Sequence, residues 1–88
     1  MVLEKFIFQY DRYDSATGVL YEVENNMVVK FSVSNNECTI SANREGLLSL
    51  AKSLIKLADN NVPEGAHYHL DAGVFLEESS VDVVIEKI

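Results

Sequence analysis

The sequence is poor in the residues that most often announce a chemistry. It holds one cysteine, one proline, four glycines and two histidines in 88 residues. A lone Cys38 cannot close an internal disulfide, and without paired cysteines there is no zinc-finger pattern. The glycines are scattered and form neither a G-x-G-x-x-G nor a P-loop spacing, which removes the common phosphate-cradling motifs. Basic side chains are also few. Seven Lys and Arg face 14 Asp and Glu, for a formal net charge of -7. Phosphate recognition needs clustered Lys and Arg, so nucleic acid is excluded as a partner class. No apolar run approaches the ~20 residues that cross a bilayer. Glu4 and Lys5 interrupt the first apolar stretch, so we expect neither a secretory leader nor a membrane partner, and a cytoplasmic location.

What is present supports a packed core. The hydrophobic fraction is 48%, and a chain of this length suffices for one domain and not two, so residues 1–88 are expected to form a single α+β domain. The acidic balance suits a basic protein partner, because opposite fields raise association rates. It also serves solubility alone.

The first half alternates with period two. In Leu3 to Tyr10, Phe6, Phe8 and Tyr10 share one face, which predicts a strand with an aromatic core side. Val19, Tyr21 and Val23 alternate against Leu20, Glu22 and Glu24. Met27, Val29, Phe31 and Val33 continue beyond Asn25-Asn26, which predicts a β-hairpin turning on those two asparagines. Asn35-Asn36 repeats the device before a short strand from Cys38 to Ser41. The period then changes. Apolar residues at Leu47, Leu48, Leu50, Ala51, Leu54, Ile55, Leu57 and Ala58 face Ser49, Lys52, Ser53, Lys56 and Asp59, which predicts one amphipathic helix over about residues 43–60 with a wide buried stripe. Ser41 or Asn43 can cap it, and Asn60-Asn61 with Pro63 ends it. Val81 to Ile88 reads as a closing strand with Val81, Val83 and Ile85 inward. The expected fold is therefore an antiparallel sheet of several strands with one helix packed on a face.

Candidate functional residues concentrate in Gly65 to Asp71. On an extended strand His67, His69 and Asp71 share a face, with Tyr68 and Leu70 on the other. Such a stripe can dock a partner, move a proton, bind a metal, or simply face solvent. His67 and His69 could share one ion, with Asp71 adding an oxygen, but zinc needs further ligands from elsewhere, such as Glu77, Glu78 or Asp14. No catalytic nucleophile is assigned: Cys38 alternates with Ile40 and reads as a buried, inert thiol. A second candidate surface is the charged rim of Asp11, Arg12, Asp14, Glu22 and Glu24, where an acidic interface could sit.

Three segments in order carry a resemblance. Asn43-Arg44-Glu45-Gly46-Leu47-Leu48-Ser49-Leu50-Ala51 has the form N-x-E-G-L-L-x-L-A, Pro63-Glu64-Gly65 the form P-x-G, and His67 to Asp71 the form H-x-H-L-D. Over residues 40 to 88 this pattern resembles small bacterial immunity proteins of polymorphic toxin and contact-dependent inhibition systems. The resemblance implies a non-enzymatic protein without a cofactor, which binds and neutralises a cognate protein toxin by occlusion. The surface expected to meet that toxin comprises His67, His69, Asp71, Asp11, Asp14, Glu22 and Glu24. Two alternatives use features of the same chain: a metal or small-ligand site on the His67/His69/Asp71 strand, and a module that homodimerises by pairing an exposed edge strand.

Overall fold

In a computed structural model, residues 2–88 are described, and they adopt an α+β arrangement. Strands β1 (Val29–Ser34) and β2 (Glu37–Ala42) form one antiparallel pair. Helix α1 (Arg44–Leu57) follows at once. Strands β3 (His67–Leu70) and β4 (Val83–Glu86) form a second antiparallel pair. The β1–β2 turn is Asn35-Asn36, and both residues have positive φ, 51° and 63°. That backbone is what a two-residue hairpin requires, and asparagine tolerates it.

Of the two turns the alternation predicts, the second closes a hairpin and the first does not. Asn25-Asn26 does turn the chain, with Asn26 at φ 64°. Yet residues 19–24 before it form no strand. Their main chain bonds to the helix instead. Glu22 N–H donates to Ser53 Oγ at 2.8 Å and Glu24 N–H to Ser49 Oγ at 2.9 Å. Each serine hydroxyl in turn donates back along the helix, Ser49 to the Glu45 carbonyl at 2.8 Å and Ser53 to the Ser49 carbonyl at 2.7 Å. A hydroxyl both donates and accepts, so two serines one turn apart offer the acceptor row that a neighbouring strand would otherwise supply.

The predicted strand from Leu3 to Tyr10 is likewise absent. That stretch has no regular structure, and Phe6 and Tyr10 are exposed. Phe8 stacks on Tyr10 at 5.3 Å and lies under the Lys52 ammonium at 5.4 Å, while Tyr10 Oη donates to Asp59. The segment is held by side chains of α1 and of the loop that follows it rather than in a ladder of main-chain bonds.

Helix α1 begins where the cap signal places it. Asn43 Oδ1 accepts the Gly46 N–H at 2.8 Å and the Val28 N–H at 2.9 Å, and its Nδ2 donates to the Asn26 carbonyl at 2.9 Å. One side-chain amide thereby caps the helix and ties it to the chain entering β1. Gly46 is needed for a different reason: a Cβ there would overlap the Val28 carbonyl oxygen and stand 2.7 Å from Val29 Cγ2. Past the far end, where the Ala58 N–H bonds back to the Leu54 carbonyl, Lys87 Nζ donates to the Asp59 and Val62 carbonyls at 2.7 and 2.8 Å and ties the loop after α1 to the residue following β4.

The buried face of α1 differs from the predicted stripe. Gly46, Ser49, Leu50, Ser53 and Leu57 are buried, whereas Leu47, Leu54 and Ile55 are exposed. The core gathers Leu50 and Leu57 with Val29 and Phe31 of β1, Tyr68 and Leu70 of β3, and Val62, Phe75 and Leu76 from loops. The outer edge of β1 is occupied by a later loop: Glu77 N–H donates to the Val29 carbonyl and Val81 N–H to the Phe31 carbonyl. Strand β2 is exposed from Glu37 to Ser41, so Cys38 is an exposed thiol and not a buried one. In β4, Val83 and Ile85 are half-buried as predicted, while Val81 precedes the strand and is exposed.

Candidate functional site

Strand β3 alternates as its sequence requires. Tyr68 and Leu70 are buried, and His67 and His69 are exposed on the opposite face. Their rings meet edge to face with centroids 4.8 Å apart. His67 Nδ1 lies 2.9 Å from the Gly65 carbonyl, which can only accept, so the contact is a hydrogen bond when Nδ1 carries a proton. Glu86 of β4 stands directly opposite His67 and so joins this face. It was not among the residues singled out from the sequence, because only strand pairing shows it. Asp71 lies past the end of β3, where its carbonyl accepts the Val74 and Leu76 amides. Among the described residues no group of three or more His, Cys, Asp and Glu converges to hold a metal ion. Asp71 does not join the two histidines in such a group.

Beneath the histidines, Tyr68 reaches inward. Its Oη donates to the Ser53 carbonyl at 2.9 Å and lies 3.3 Å from the Leu20 carbonyl. Burial, with a smaller contribution from the Glu22 carboxylate, pushes its hydroxyl up to about 12. The Tyr21 ring packs edge-on against both Tyr68 and Phe75. These contacts place the Val19 to Tyr21 segment beside β3. An open hollow of about 470 Å³ lies there, lined by Val19, Leu20, Tyr21, His67, Tyr68 and His69.

The acidic rim divides into two parts. Glu22 and Glu24 are half-buried and paired with lysines of α1, Glu22 with Lys56 at 3.1 Å and Glu24 with Lys52. Asp11 and Asp14 are exposed. Asp14 also organises its own loop: Oδ1 accepts the Ala16 N–H and its carbonyl accepts the Thr17 and Gly18 amides. Both aspartates line a second hollow of about 250 Å³, whose wall includes Tyr10, Arg12, Asp59 and, again, Val19 and Leu20. The histidine face and the Asp11/Asp14 loop therefore flank the same short segment. That relation is invisible in sequence, where some fifty residues separate them.

No helix of the described residues is long and apolar enough to cross a membrane. No curated protein and no solved structure matches the chain. A family of immunity proteins, immunity protein 32, matches it over residues 37–88, from β2 through the helix and both strands of the second pair. With more than half of its length matched, including the capped helix and the histidine strand, the chain belongs to the immunity protein 32 family.

Proposed function

We propose that the protein neutralises a cognate toxin by binding it, without chemistry of its own, in the cytoplasm. The observation that supports this reading is the shared Val19–Leu20 wall, which joins His67 and His69 to Asp11 and Asp14 across one surface. In this reading the histidines and the apolar wall supply the buried anchors that set the dissociation rate. Asp11 and Asp14, with the chain's net charge of -7, steer a basic toxin and raise the association rate. Glu22 and Glu24 contribute less free charge, since each already has a lysine partner. Asp71 belongs to the margin of this surface.

Co-expression with toxin genes adjacent to its own tests the reading. Rescue of growth against one of them, weakened when His67, His69, Asp11 and Asp14 are replaced together, is the expected result. Failure to rescue against any of them removes the function and leaves the fold.

A second copy of the chain is the other occupant that an observation favours. In a two-residue hairpin Ser34 and Glu37 are a bonded pair, so Cys38 and Ile40 turn their main-chain groups to the outer edge of β2. No main-chain partner meets them among the described residues. Light scattering over a wide concentration range decides this: a monomer throughout removes it.

A further inference from the structure

The β3–β4 pairing fixes which main-chain groups of β3 are used. Lys87 N–H donates to the Ala66 carbonyl at 2.9 Å, so Ala66 and Lys87 are a bonded pair. Antiparallel alternation then makes Tyr68–Ile85 and Leu70–Val83 bonded pairs as well. The N–H and C=O groups of His67 and His69 point the other way, out of the pair. Among the described residues they have no main-chain partner. They open into the hollow whose far wall is Val19, Leu20 and Tyr21.

The hollow lies open beside His67, Tyr68 and His69, with Val19, Leu20 and Tyr21 as the rest of its lining. Residues 19–24 form no ladder with β3, and the Glu22 and Glu24 amides of this segment bond to Ser53 and Ser49 of the helix.

We propose that the outer edge of β3 accepts a strand, and that an extended segment of the toxin, uncharged or basic, pairs with the main chain of His67 and His69. This rests on the toxin-binding reading above and adds to it how the partner is held. Main-chain bonds give the affinity. Val19 and Tyr21 receive alternate side chains on the inner side, and the net charge of -7 selects against acidic segments.

The probe is a phage-displayed library of random linear dodecapeptides, panned against the purified full-length protein. The expected binders slow exchange of the His67 and His69 amides, by about tenfold or more at saturation, and leave Tyr68 and Leu70 unchanged, since those amides are already bonded to β4. His69→Ala keeps the main-chain donor and binds within about threefold of the parent, whereas His69→Pro removes it and weakens binding about tenfold. Exchange reads the same bond without any substitution, so an unfolded proline variant decides nothing against the site. Overturning results are no enriched peptide, protection at Cys38 and Ile40 instead, an equal loss for alanine and proline, or self-association in place of peptide binding. Growth rescue without any peptide at β3 defeats the strand site alone. Peptide pairing at β3 without rescue leaves the site and defeats the immunity role.

Discussion

Ser53 accepts the Glu22 amide at 2.8 Å while donating to the carbonyl one turn back, so a side chain on a helix completes the hydrogen bonding of an extended segment. Ser49 does the same for Glu24. These hydroxyls explain two otherwise unrelated facts: the polar residues of the helix are among its most buried, and residues 19–24 are extended without being a strand.

Ser53→Ala is therefore expected to cost about 1–3 kcal/mol, because the Glu22 amide loses its partner in a part-buried place. Urea unfolding of the variant measures this. Ser49→Ala/Ser53→Ala together are expected to free residues 19–24, read as faster amide exchange at Glu22 and Glu24 than elsewhere in the chain.

Gly46→Ala tests close approach against helix propensity. Alanine favours an interior helical position by about 1 kcal/mol. Here its Cβ would collide with the Val28 carbonyl and Val29 Cγ2. We expect a net loss of about 1–3 kcal/mol, seen as a lower melting temperature. A stabilised variant would show that the helix start moves freely from the entry to β1.

The two sides of α1 differ in a measurable way. Leu57 is 5% exposed and Leu54 46% exposed. Leu57→Ala is expected to cost about 2–5 kcal/mol. Leu54→Ala is expected to cost about 1 kcal/mol or less, since little apolar area leaves the core. Chemical denaturation of the pair gives the comparison.

Alkaline pH offers a separate probe of Tyr68. Its hydroxyl, ordinarily near 10.0, is pushed up to about 12, chiefly by burial. Between these values the unfolded chain releases the proton and the folded one retains it. The unfolded state then binds fewer protons, so stability is complete below pH 10.0 and falls as pH rises towards about 12. Urea midpoints against pH should show this fall, and Tyr68→Phe should lack its Tyr68 component, leaving only what the other tyrosines and lysines contribute.

At the β1–β2 turn, Asn36 sits at φ 63°. Asn36→Ala is expected to cost about 1 kcal/mol, because Cβ crowds the carbonyl in that region, and Asn36→Gly to cost less. Thermal melts of the two variants rank them.

The three segments singled out in the sequence also divide by role once their residues are placed. Asn43 and Gly46 are spent on the helix entry, where one caps and the other permits contact with Val28. Pro63 and Gly65 shape the return to β3, with Gly65 at φ 88° and its amide bonded to the Lys87 carbonyl. His67 and His69 are exposed on β3, and neither ring enters the core.

The sequence by itself determined the local matters: one helix with a polar cap at Ser41 or Asn43, the Asn35-Asn36 turn, and the alternation that sets His67 and His69 on the face opposite Tyr68 and Leu70, though not which face is buried. Each depends on neighbours within a few residues, so spacing and side-chain type suffice. Tertiary structure decided the rest. Alternation in residues 3–10 and 19–24 reports which side is apolar but not whether a strand lies alongside, and the nearest neighbour proved to be a helix. The same contact reversed the roles of Ser53 and Leu54, because burial follows what packs on a face rather than its polarity alone. The outer edge of β3 is likewise a tertiary matter: no main-chain partner meets His67 and His69 among the described residues, while residues 19–24 bond to the helix serines.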